Sequence, residues 1–188
     1  MSLSQYLFES ADLIRLAATP EMEARLGQAI IRIADALAED RPFLVCGNGG
    51  SAADAMHIAG ELVGRFLKER RGLNCVALGA DAAVTTAWSN DYGYDSLFAR
   101  QVEAYGRAGG VLLGISTSGN SANVLKAAEA ARAKGMTVIG LTGETGGKLA
   151  PLCDILLNAP SRHTPHIQQI HACLYHYLCQ KVEERLAG

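Results

Sequence analysis

The sequence predicts an α/β fold in which a five-stranded parallel sheet is covered by helices on both faces, giving three αβα layers. Two observations carry that prediction. From residue 43 onward, short apolar runs without alternation recur between longer stretches of helical periodicity, as strands buried on both faces do. The segments after the first and third of these runs are rich in Gly, Ser and Asn, and right-handed crossovers bring such loops to one carboxyl edge of a sheet. A chain of 188 residues suits a single domain; residues 1–40 read as an N-terminal helical extension of it.

The elements follow in order. Leu3, Leu7, Ala11 and Ile14 recur at helical spacing over residues 2–17. Thr19 is placed to cap a second helix, with Pro20 in its first position and Glu21 and Glu23 in its first turn. Its apolar stripe is Leu26, Ile30, Ile33 and Leu37. Two amphipathic helices before the first strand exceed what the sheet needs, so their stripes either pack on this domain or, as the favoured expectation, bury against another subunit. Phe43 to Cys46 reads as the first strand, Gly47 to Gly50 as a tight turn, and a helix is expected from near Ser51, which can cap it or donate to an anion. Asn74 to Leu78 is the second strand. Asp81 starts a short helix expected to stop at Trp88, with Ser89 to Tyr94 as a loop. A helix near 95–106 precedes the third strand, Gly110 to Ile115, and another helix runs to about Lys134. Met136 to Leu141, a short helical piece opened by Gly146 and Gly147, Asp154 to Asn158, and a long helix from Pro165 to Leu186 complete the chain.

Composition narrows the function. The chain is 49% apolar and 19% charged, with a net charge of -2, so it lacks the basic footprint of a nucleic-acid binder. No apolar run reaches membrane-spanning length and the start has no signal-peptide layout, so the expected location is cytoplasmic. Five cysteines include no Cys-x-x-Cys pair and read as small buried thiols of a reducing compartment.

The chemistry gathers in three places. The turn at Gly47-Asn48-Gly49-Gly50-Ser51 lets backbone approach a ligand, and the helix start behind it favours an anion. The run Ser116-Thr117-Ser118-Gly119-Asn120-Ser121 offers four hydroxyls at the end of a buried strand, a second anion cradle suited to a sugar phosphate. It lacks the Gly-Lys-Ser/Thr ending of a nucleotide loop. The first turn loosely fits a dinucleotide fingerprint, but no acid ends the second strand; Asp81 lies beyond it. His57 and Glu61 stand at i and i+4 on one helix face, a spacing more often used for a surface hydrogen bond than for a metal. With Gln168 and His176 of the last helix they make a four-member set of N and O donors that suits zinc or a similar divalent ion. Eight residues separate Gln168 from His176, about 12 Å along a helix, so a shared ion requires them to lean together or to come from different subunits. His171 reads as a satisfied core histidine.

Taken together, the stretch Gly47 to Glu61, the segments Asn90 to Tyr94 and Ser116 to Ser121, and the Ile167-Gln168 to His176 run resemble the phosphoheptose isomerases of the sugar isomerase (SIS) superfamily, whose fold is flavodoxin-like. The resemblance covers essentially the whole chain. It implies a homotetrameric cytoplasmic enzyme that converts D-sedoheptulose 7-phosphate into D-glycero-D-manno-heptose 7-phosphate for lipopolysaccharide-type glycans, with active sites at subunit interfaces. By position, Ser116, Thr117, Ser118 and Ser121 would hold the phosphate, and Asn48, Gly49, Gly50, Ser51, Asn90 and Asp91 would line the sugar. His57, Glu61, Gln168 and His176 would bind zinc, with Glu61 and His176 moving protons and Glu61 and Gln168 also touching substrate. Gln169 departs from the family's usual Ile-Gln-Glu. The competing expectations are a non-enzymatic SIS regulator that binds a replication initiator, and an isomerase of another sugar phosphate.

Overall fold

The computed structural model describes residues 1–187. Its helices and strands run in the order α1 (Leu3–Ala17), α2 (Pro20–Ala38), β1 (Phe43–Cys46), α3 (Gly50–Val63), β2 (Cys75–Ala77), α4 (Ala82–Tyr92), α5 (Leu97–Tyr105), β3 (Val111–Ser116), α6 (Ala122–Ala133), β4 (Thr137–Thr142), β5 (Ile155–Asn158) and α7 (Thr164–Leu186). Short 3-10 turns lie at Tyr94–Ser96 and Gly147–Leu152. All strand pairs are parallel and the order is β2-β1-β3-β4-β5. The chain therefore leaves β1 in one direction and returns on its other side, which makes the β1/β3 boundary the switch point where the flanking loops part and leave a crevice.

Strand pleating divides the core in two. Phe43, Val45, Leu113, Ile115 and Leu141 point to the face covered by α2, α3 and α7, while Leu44, Cys46, Leu112 and Val138 point to the face of α5 and α6. Burying both faces is what removes alternation from these strands, and each fully buried Leu, Ile or Phe contributes about 1.5–3 kcal/mol.

Local chemistry sets the helix ends. Ser2 and Gln5 form a capping box on α1, and Thr19 Oγ1 accepts the Met22 N–H at 3.1 Å, with Pro20 opening α2. Three expectations change. The α2 stripe Leu26, Ile30, Ile33 and Leu37 is buried on the chain's own sheet, not kept for another subunit; α1 leaves Leu3, Leu7 and Phe8 exposed. Helix α3 begins at Gly50 behind Gly49, whose φ of 57° is open to glycine, and Ser51 makes no cap bond but is buried inside the first turn. Helix α4 continues through Ser89 to Tyr92 because nothing interrupts its hydrogen bonding until Gly93, at φ 85°.

Candidate active site

The two predicted cradles flank the switch point. Gly47 to Gly50 leave the end of β1, and Thr117 to Ser121 leave the end of the neighbouring β3. Each is held close by a different device. A Cβ on Gly50 would lie 2.5 Å from Gln168 Nε2, so the missing side chain is what lets the α7 amide rest on the first turn of α3. The hydroxyl loop is braced from behind by the β4–β5 connection: Gly143 N–H donates to Thr117 O at 3.0 Å and Leu149 N–H to Gly119 O at 2.9 Å. Gly119 approaches Gly146 so closely, at φ 66°, that no side chain fits.

The hydroxyls are only partly spent. Ser121 sits at the N-cap of α6 without bonding the helix; instead its Oγ lies 3.0 Å from that of buried Ser116. Ser118 Oγ accepts the Asn120 N–H at 3.1 Å and stands exposed. Thr117 and Ser118 also line a cavity of about 260 Å³ with Glu144, Thr145, Ser161 and Arg162. Arg162, ion-paired with Glu144, brings a cation beside this cradle. No periodicity or motif marks it, because it lies in the loop before α7, 46 residues from Ser116 by chain number.

Helices α3 and α7 run side by side and place the remaining polar groups in tiers. Gln168 meets Gly50 at one level. Two turns further along α3, His57, Glu61 and His176 bring one ligand atom each to within 4.8 Å of one another. His57 Nε2 lies 3.1 Å from Glu61 Oε1, and the His57 and His176 rings meet edge to face at 4.9 Å. His176 Nδ1 faces the Ala172 carbonyl at 2.7 Å; a carbonyl only accepts, so Nδ1 carries the proton and the lone pair of the neutral ring is on Nε2. Tyr175 OH lies 3.4 Å from Asp54 Oδ1 and 3.2 Å from His57 Nδ1. With the phenol proton given to an ionised Asp54, His57 donates from Nδ1 and turns a bare Nε2 lone pair toward the Glu61 carboxylate. That arrangement calls for a proton or a cation between them, so the donor set fits a divalent ion. Burial pushes the Asp54 carboxyl pKa up, partly offset by the Tyr175 hydrogen bond and by the two histidines.

Other predicted residues make their hydrogen bonds elsewhere. Asn90 and Asp91 are exposed near the end of α4, bonded to each other at 2.9 Å; α4 has no buried residue at all. Gln169 faces away from the cluster and donates to Tyr6 OH of α1 at 2.9 Å. The position at which the resemblance leads one to expect an acid therefore lies, as an amide, at the α1–α7 seam. His171 is fully buried against Thr142 O, and desolvation lowers its pKa to about 4.

This geometry matches known proteins over nearly its full extent. The SIS domain family profile matches residues 5–143. The chain belongs to the SIS family. Within that family it is 54% identical over 171 residues to the phosphoheptose isomerase of Rhodospirillum rubrum, covering 87% of this chain and 91% of the relative. It is 49% identical to that of Burkholderia pseudomallei, covering 95% and 92%. Among solved SIS structures, the phosphoheptose isomerase of Neisseria gonorrhoeae superposes with a TM-score of 0.90 at 44% identity, covering 97% of both chains. That of Francisella tularensis gives 0.91 at 36% identity, covering 97% and 96%.

Proposed function

We propose that this chain is an aldose–ketose isomerase that interconverts D-sedoheptulose 7-phosphate and D-glycero-D-manno-heptose 7-phosphate, supplying heptose for lipopolysaccharide-type glycans. The observation that carries the reading is the meeting of His57, Glu61 and His176 within 4.8 Å beside two anion cradles at one switch point. The names of the relatives agree with it.

In this reading Ser116, Thr117, Ser118 and Ser121 hold the phosphate, and the N-terminal turn of α6 behind Ser121 favours its charge. Asn48, Gly49, Gly50 and Ser51 line the sugar from the β1 side, with Asn90 and Asp91 reaching it from α4. Moving a proton between adjacent carbons requires a base at carbon and an acid at oxygen. Glu61 takes the carbon-bound proton, and His176 exchanges protons with the sugar oxygens. His57, Glu61 and His176 of one chain would hold zinc, with Gln168 of a second copy as the fourth ligand, because Gln168 stands two turns away in its own chain. The ion when bound would supply Lewis-acid polarisation of the carbonyl. We further propose a cytoplasmic homotetramer with sites at subunit interfaces. The exposed Leu3, Leu7 and Phe8 of α1, the unburied α4 and the 44% exposure of the His57 side chain support assembly. No helix among the described residues is long and apolar enough to cross a membrane.

The test is turnover of sedoheptulose 7-phosphate by purified protein, run beside Glu61→Gln and a chelator-treated sample. Activity of the untreated wild type, lost in the variant and restored to the chelated sample by zinc, is the expected result. A folded, zinc-replete protein without turnover would refute the assignment.

A further inference from the structure

We propose that Asn123 and Tyr94 are positioning residues that fix the polarity of the Asn48 side chain, so that Asn48 can present only an N–H donor to the ligand. The inference rests on the isomerase reading for the identity of that ligand, a ketose phosphate. The polarity itself follows from hydrogen bonds within the chain.

It originates at a backbone group. Val124 N–H can only donate, and it meets one end of the Asn123 amide at 3.0 Å, which makes that end Oδ1. Asn123 is 3% exposed, so its remaining groups must also find partners. They find the Asn48 amide, end to end: Asn48 Nδ2 donates to Asn123 Oδ1 and Asn123 Nδ2 donates to Asn48 Oδ1, both at 2.9 Å. A flipped Asn48 would oppose oxygen to oxygen and nitrogen to nitrogen. Tyr94 OH then donates to the same Asn48 Oδ1 at 2.8 Å. Both lone pairs of that oxygen are used and one Nδ2 hydrogen is committed, which leaves a single N–H.

Asn48 is half-buried between the end of β1 and the first turn of α3, inside the glycine cradle. Its remaining N–H selects an oxygen that accepts. A ketose carbonyl does so, and binds a donor more strongly as negative charge grows on it. A hydroxyl can satisfy either amide polarity, whereas a carbonyl can satisfy only this one. The Asn48–Asn123 pair, 75 residues apart in sequence, also ties the loop after β1 to the helix after β3, so it sets the spacing of the two cradles.

The experiment measures binding of sedoheptulose 7-phosphate and of the heptitol 7-phosphate obtained by reducing its carbonyl, together with kcat and KM. The proteins are the wild type, Asn123→Asp and Tyr94→Phe. Aspartate keeps both accepting contacts of Asn123 but cannot donate to Asn48 Oδ1; phenylalanine removes only the phenol hydrogen bond from a half-exposed ring and leaves the fold intact. Asn123→Asp is expected to lose about 3- to 10-fold in affinity for the ketose and in kcat, with heptitol binding within about twofold of wild type. Tyr94→Phe, in which Asn123 still sets the amide and only one of the two donors to Asn48 Oδ1 is gone, shows a smaller loss of the same kind. An unchanged ketose-to-heptitol ratio in both variants would overturn the proposal while leaving the isomerase reading intact. A wild type that neither turns over nor binds the ketose phosphate would overturn the isomerase reading and the proposal with it.

Discussion

Acidification should destabilise this protein through His171, and the size of the effect can be worked from its surroundings. The ring is fully buried, its Nε2 donates to Thr142 O at 3.0 Å, and its Nδ1 has no partner. Protonation would place an N–H on that orphan atom with nothing to receive it, and desolvation accordingly lowers the pKa from 6.5 to about 4. The unfolded chain binds the proton more readily. Stability from this residue is therefore complete above about pH 6.5, falls as the pH drops, and levels off below about 4. The full gap corresponds to about 3 kcal/mol, of which about 2.5 kcal/mol is lost by pH 4.5. Urea unfolding of wild type and His171→Gln, at fixed protein concentration from about pH 7.5 to about pH 4.5, isolates the contribution because the other histidines are common to both. The stability of the wild type relative to the variant should shrink by about 2–3 kcal/mol over that range. A difference that stays flat with pH would refute the reasoning.

Further outcomes follow from the packing. Glu183 and Arg70 form a buried pair whose side chains are each 2% exposed; Glu183 accepts the N–H groups of Phe66, Leu67 and Lys68, and Arg70 donates to the carbonyls of Glu61, Leu62 and Gly64. Glu183→Gln leaves that guanidinium unpaired and should cost about 3–5 kcal/mol in denaturant unfolding. Gly50→Ala and Gly119→Ala should behave oppositely. The first meets only the flexible end of Gln168 and should change stability by less than about 1 kcal/mol, while weakening affinity for the proposed zinc ion, as measured by titration of the metal. The second drives a Cβ into the Gly146 carbonyl at a positive φ, and should lower stability by more than about 2 kcal/mol.

The fold was legible because its layers write themselves into the sequence. A strand such as Leu112-Leu113, with one side chain against α5 and α6 and the next against α2, α3 and α7, must be apolar throughout. The α2 stripe was equally legible as a stripe, but not its partner. A periodicity of four, three and four says that a face is buried and leaves open what covers it. The end of α4 was misread for a related reason. Asn90 and Asp91 favour turns only when nothing better competes, and the helix here runs on until Gly93 ends it.

In the site, legibility tracks sequence distance. His57 and Glu61 share one helix, and the four hydroxyls share one loop, so spacing alone groups them. His176 comes within reach of His57 only because α3 and α7 lie side by side, a consequence of the sheet order that no local pattern encodes. Asn123 and Tyr94 are fainter still. Read locally, Asn123 is a polar residue near a helix start and Tyr94 an aromatic in a turn; their roles exist only because β1 and β3 are neighbours and bring Asn48 between them. The same topology that makes a crevice at the switch point thus supplies the contacts that orient its polar lining. A residue like Asn123, buried and bonded across that boundary, is therefore a better guide to what the crevice demands than the exposed Asn90 and Asp91, whose bond is merely to each other.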